Sequence, residues 1–139
     1  MHQQPADTVR GLVQAFASQD REAFASFLDP RIEWISAENF IYADESPYRG
    51  VDAVLGLVFG RLQEDWAGFS LSADEILGSG DLVILNGRFR GIYKATAAYV
   101  DAQMVQVFQV DHGRIVRVQV YTDTAQFKDA INKTSVAGV

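Results

Sequence analysis

The stretch VQVFQVDHGRIVRVQV, residues 105–120, decides how the chain is read. Apolar residues recur at every second place on both sides of DHG, the pattern of two strands joined by a tight turn. One amide, Gln106, falls among the apolar residues. The spacing allows two closures. A two-residue turn at His112-Gly113 pairs Val107 with Val118 and Val105 with Val120, and leaves Gln106 on a polar face with Arg117 and Gln119. A three-residue loop, Asp111-His112-Gly113, pairs Gln106 with Val118 and Met104 with Val120. Gly113 then takes the left-handed third place and Asp111 the first, as a type I turn followed by glycine requires. The faces favour the same closure. Met104, Gln106, Phe108, Val116, Val118 and Val120 share one side. Val105, Val107, Gln109, Arg117, Gln119 and Tyr121 share the other. The expected register is therefore the three-residue loop, with Gln106 pointing into an apolar hollow. A buried amide without a partner costs about 1–3 kcal/mol, so it must bond to protein, trapped water or a ligand.

Upstream, LVILNGRFRGIY (residues 82–93) alternates in the same way. Val83, Leu85, Gly87, Phe89, Gly91 and Tyr93 share one face, and Asn86, Arg88 and Arg90 the other. Two glycines inside a strand fit a strongly bent sheet. FSLSADEIL before it is a further strand, GSGD (78–81) a turn, and strands are expected over about 98–110 and 114–122. Before residue 69 the period is near four. Asp7 is an expected N-cap for a helix presenting Val9, Leu12, Val13 and Phe16, and Asp20 for a short helix burying Ala23, Phe24, Phe27 and Leu28. Asp29-Pro30 ends that helix. RIEWIS (31–36) reads as a strand, a long polar and aromatic loop runs to Arg49, and a helix follows Gly50. Asp123 caps a C-terminal helix carrying Phe127 and Ile131, and the last six residues are expected to fray.

This order is α+β: helices, then an antiparallel meander bent into a cone whose N-terminal helices cover the concave face and enclose a pocket. One domain is expected over 1–139, with its core at about 6–132. The chain is 48% hydrophobic and 22% charged, ordinary for a globular domain. Its formal net charge of -6, with no Lys/Arg run, makes nucleic acid and anionic membrane poor partners. The absence of cysteine excludes disulfides, thiolate nucleophiles and Cys-bound metals. No signal peptide or spanning segment is read, so a cytoplasmic protein is expected. His2 and His112, distant and at a terminus and a hairpin tip, make neither a metal site nor a triad. No metal or cofactor is expected.

SPYRG before an amphipathic helix, and VFQVDHGRIVRVQVYTDT before a short one, resemble the SnoaL-like group of the nuclear transport factor 2-like superfamily. Ketosteroid isomerase and limonene epoxide hydrolase are relatives within it. The resemblance covers nearly the whole chain in element order and implies a cone of curved sheet around a small-molecule cavity. It aligns Ile35 with the isomerase base, Gln106 with its acid and Leu12 with its tyrosine. The hydrolase Asp, Arg and Asp fall at Phe89, Gly87 and Val120. Neither set of catalytic residues survives. Members of the SnoaL-like subgroup often carry histidine near the place of Gln106; glutamine keeps the hydrogen bonding but cannot shuttle protons.

Any acid or base must then come from the first strand or the loop after it. Glu38 is the first choice and Glu33, sharing a face with Ile35, the second, with Tyr42 as oxyanion donor and Gln106 as the pocket amide. The alternative for each is ordinary: loop acids are commonly solvated and loop tyrosines cap core edges. Trp34, Ile35, Phe59, Phe89, Met104, Phe108, Val118 and Val120 are the expected ligand-binding wall. Tyr99, Val105, Val107 and Tyr121 on the outer face suggest a homodimer through the sheet. Three functions remain open: an acid/base isomerase, cyclase or hydrolase acting on a small apolar substrate; a non-catalytic binder of the same kind of molecule; or a dimeric interaction module with a filled interior.

Overall fold

The computed structural model describes residues 4–134; His2 and nearly all of the C-terminal stretch expected to fray lie outside them. Two helices open the chain, α1 (Pro5–Ala17) and α2 (Arg21–Ser26), followed by β1 (Leu28–Ile35). Helix α1 begins earlier than Asp7 indicated. Proline at the first helical position gives up an N–H that has no intrahelical partner. Asp7 instead sits at the third position, where its carboxylate accepts from the Gln4 N–H at 3.3 Å. Asp20 caps α2 as expected, accepting from Ala23 N at 3.0 Å.

After the loop come β2 (Tyr48–Arg49), a short strand not foreseen, and α3 (Val51–Val54). A π-helical segment, Leu55–Phe59, leads straight into α4 (Gly60–Asp65). Four long strands complete the sheet: β3 (Trp66–Ser79), β4 (Leu82–Tyr93), β5 (Ala98–Asp111) and β6 (Arg114–Thr122), before α5 (Thr124–Asn132). The sheet order is β2-β1-β6-β5-β4-β3. It is curved and unclosed, and α1 lies across β3 to β6 on its inner face. The pairing is antiparallel except between β1 and β6, which run parallel. Among the described residues no helix is long and apolar enough to cross a membrane.

Gly87 and Gly91 show where the bend arises. β3 carries two bulges against β4, between Ala67 and Ser70 and between Ala73 and Glu75. Each lies opposite one of these glycines. A Cβ at Gly87 would stand 1.9 Å from the Ser72 carbonyl oxygen, and one at Gly91 would press on Phe69 and Trp66 at 3.1 and 3.2 Å. Bulges bend and twist a strand, and here the partner strand lacks side chains where the bulged backbone closes in.

The hairpin corrects the expected register. Its tip is the two-residue turn: Asp111 pairs with Arg114, and His112 and Gly113 have φ of 51° and 75°. Positive φ at both central residues is the type I′ geometry. One step in, a bulge leaves Val116 unmatched, so Gln109 pairs with Arg117 and Gln106 with Val120. The extra residue restores the parity of the three-residue loop for everything beyond it. Gln106 therefore does lie on the buried face, 4% exposed, beside Met104, Phe108, Val118 and Val120. Ile115, not Val116, is the buried residue nearest the tip.

Candidate functional site

The inner face of the sheet encloses a cavity of about 50 Å³. Its walls are aromatic. Phe16 comes from α1, Phe24 from α2, Trp34 from β1, Phe59 from the π-helical segment and Phe69 and Phe89 from β3 and β4. The Phe24 and Phe59 rings lie 4.9 Å apart, and Phe16 meets Phe59 edge-on at 5.7 Å. The π turn helps here: α3 and α4 run on through it, and Val58, Phe59 and Leu62 all face the cavity. Two polar side chains join the wall, Gln106 and Ser36. Thr8 Oγ1 is the one sealed side-chain polar atom without a partner among the described residues. The Gln106 carboxamide instead opens onto the cavity, and no protein hydrogen bond reaches it among those residues.

Of the expected wall, Trp34, Phe59, Phe89 and Val120 line the cavity, and so does Gln106, the expected pocket amide. Met104, Phe108 and Val118 are buried in the solid core, not on its wall. Ile35 is a correction. Parallel pairing sets Trp34 beside Val118 and Ile35 beside Gln119, so Ile35 and Glu33 face outward. Trp34 and Ser36, one residue to either side of Ile35, face in. Glu33 ion-pairs with Arg49 at 3.2 Å and Arg117 at 3.6 Å across the outer surface. Glu38 is exposed on the loop and does not line the cavity. Ser36 was missed, although alternation from Trp34 would have found it. Phe40 was also missed; no period governs a loop.

Tyr42 is buried but faces a different partner set. Its hydroxyl donates to Asp65 Oδ2 at 2.5 Å and accepts from Trp66 Nε1 at 3.2 Å. The Tyr48 hydroxyl lies within donor reach of both the Tyr42 carbonyl and Asp44 Oδ1, the latter at 3.0 Å, with one proton between them. Arg61 donates to Asp44 at 2.9 Å, to Tyr48 Oη at 2.8 Å and to the Leu57 carbonyl at 2.6 Å. Its guanidinium also lies over the Tyr42 ring, 4.8 Å from the centroid. Burial, then the bond to Asp65, pushes the Tyr42 hydroxyl well above the usual tyrosine range. The Arg61 guanidinium holds the Asp44 carboxyl below the usual carboxylate range. This node ties the loop to α4, and it is structural in form: every polar group named in it has a partner. Among the described residues no cluster of three or more His, Cys, Asp or Glu stands ready for a metal.

An open, bent sheet closed over by helices around an apolar hollow is the nuclear transport factor 2-like architecture. The chain superposes on a nuclear transport factor 2-like protein from Burkholderia thailandensis E264 with TM-score 0.89 and 31% identity, covering 94% of this chain and 99% of that one. A chain from Jannaschia sp. CCS1, provisionally assigned as a SnoaL-like polyketide cyclase, superposes with TM-score 0.80 at 18% identity, over 94% and 92%. TerC, co-crystallised with polyporic acid, gives TM-score 0.80 at 18%, over 93% and 99%. No curated protein matches the sequence. Residues 9–118 match the SnoaL-like domain, and the chain belongs to that family.

Proposed function

We propose that the cavity binds a small, uncharged, largely apolar molecule, which the rings enclose and the Gln106 carboxamide and Ser36 hydroxyl orient. One observation carries this reading: among the described residues the polar side chains on the aromatic wall are neutral, and none of those lining it is ionisable. A charged ligand would lose its hydration there without a partner. A carbonyl or hydroxyl would meet a donor and an acceptor. The acid/base enzyme reading finds less support, because Glu33, Glu38 and Tyr42 lie off this wall. TerC, a protein of the same fold, was co-crystallised with an organic molecule, polyporic acid.

NMR titration with acetophenone and with benzoate tests it. Acetophenone is expected to shift resonances at Phe59 and Gln106 and to raise the melting temperature, while benzoate does neither. Equal response to both, or shifts confined to the outer surface, would sink the reading.

The same proposal includes a cytoplasmic protein, with no nucleic acid or membrane partner, that pairs with a second copy through the outer face. Support for pairing comes from cross-strand neighbours there. Ile84 stands beside Val107, and Val105 beside Tyr121. Ile84 and Tyr121 are 44% and 52% exposed, so apolar side chains cross three strands in contact with solvent.

A further inference from the structure

A second hollow of about 30 Å³ adjoins the aromatic cavity. Phe16, Leu62 and Phe69 belong to the walls of both. Its other walls are Gln19, Gln63, Trp66 and Gly68. Trp66 Nε1 is committed to Tyr42, so the polar side chains this hollow offers are two carboxamides. Among the described residues no ionisable side chain lines either space.

The partition between them is thin. Phe16 and Phe69 are half-buried and meet edge-on, with centroids 6.2 Å apart. Backbone irregularities lie close to both rings. Phe16 is the penultimate residue of α1, just before Gln19 at φ 54°. Phe69 sits in the first β3 bulge, next to Gly68 at φ 63°. Size supplies the reason for the partition to yield. An apolar interior cavity of about 150 Å³ admits benzene. The main cavity, at about 50 Å³, is a third of that. An aromatic ligand therefore fits only when a wall moves.

We infer that the second hollow is a subsite of the same ligand site. It opens to the cavity when Phe16 and Phe69 swing, and it takes the neutral hydrogen-bonding end of an elongated molecule whose aromatic body fills the cavity. The inference rests on the ligand-binding reading above and narrows it to uncharged, amphiphilic molecules longer than one ring.

Three probes sharing a phenyl body test it by calorimetric or NMR titration: 4-phenylbutanamide, butylbenzene and 4-phenylbutanoate. Gln63→Leu is expected to weaken 4-phenylbutanamide by about tenfold, the size of one lost hydrogen bond, and to leave butylbenzene within about twofold. Gln19→Gly should weaken the amide in the same direction. Glycine suits a positive φ, so misfolding is not the cause there. Wild-type protein should bind 4-phenylbutanoate more weakly than the amide, because the hollow, open to solvent at Gln19 and Gly68, offers no cation, and a carboxylate can only accept from the two carboxamides while an amide both donates and accepts. If butylbenzene binds in the cavity and neither variant weakens the amide, the subsite is overturned and the cavity reading stands. If butylbenzene shifts no resonance of Phe59 or Gln106, the cavity reading falls and takes the subsite with it.

Discussion

Two regions flank α4, and they treat polar groups in opposite ways. Around Arg61, the hydroxyls of Tyr42 and Tyr48, the carboxylates of Asp44 and Asp65 and the Trp66 indole are used up on one another. In the cavity, Gln106 stands among phenyl rings with its carboxamide open to the hollow. Polar groups that satisfy each other hold structure in place. A polar group held dry and unspent is available to a ligand. The contrast explains why Tyr42, plausible chemistry in the sequence, turns out to be fastening, while the neutral amide faces the space.

The comparison predicts opposite outcomes for similar substitutions. The largest loss is expected from Arg61→Leu. It removes the donor shared by the Tyr48 hydroxyl, the Leu57 carbonyl and the solvent-facing Asp44 carboxylate, and should cost about 2 kcal/mol by denaturant unfolding. A loss under about 0.5 kcal/mol would mean that water replaces the node freely.

Next, Tyr42→Phe should cost about 1–2 kcal/mol, leaving Asp65 and Trp66 Nε1 short of a partner. It also carries a pH signature. The Tyr42 hydroxyl titrates above its ordinary value of about 10, so its contribution is fully present below pH 10 and is lost as pH rises toward the folded-state value. The variant should show a shallower alkaline decline in stability than the wild type between pH 9 and 11.

Gln106→Leu, in the other region, should change stability by less than about 1 kcal/mol and in the stabilising direction, since it replaces an unpartnered amide with an apolar group. Acetophenone binding should fall by about tenfold. A loss of more than about 2 kcal/mol would place Gln106 with the fastening groups instead. The smallest effect on the folded chain is expected from Tyr121→Glu on the outer face. The monomer should unfold as before, within about 0.5 kcal/mol, while sedimentation shows the two-copy species replaced by one.

Much of the sheet could be read before any coordinates. Strict alternation sorted Val83, Leu85, Phe89, Met104, Gln106 and Phe108 onto one face, and Gly87 and Gly91 announced the bend that the β3 bulges make. The hairpin is more instructive. The expected turn was the wrong one, yet Gln106 lies on the expected face because the Val116 bulge adds back the residue the shorter turn removes. Side-chain facing depends on parity alone, so one extra residue cancels another. The site was harder. Phe59 and Phe89 follow from period, but Phe40 sits in a segment without one, and the cavity wall takes residues from elements far apart in the chain.

The amino-acid sequence determined the helices, the strands and which residues within a strand travel together, since those depend on local sterics and on a period of 3.6 or 2. Tertiary structure alone decided which face of β1 looks inward. Nothing within RIEWIS distinguishes Glu33 and Ile35 from Trp34 and Ser36 until β6 lies parallel beside them. It also decided that Tyr42 would meet Asp65, 23 residues away, and not a ligand. Contacts of that reach exist only once the chain has closed on itself, so no local pattern encodes them.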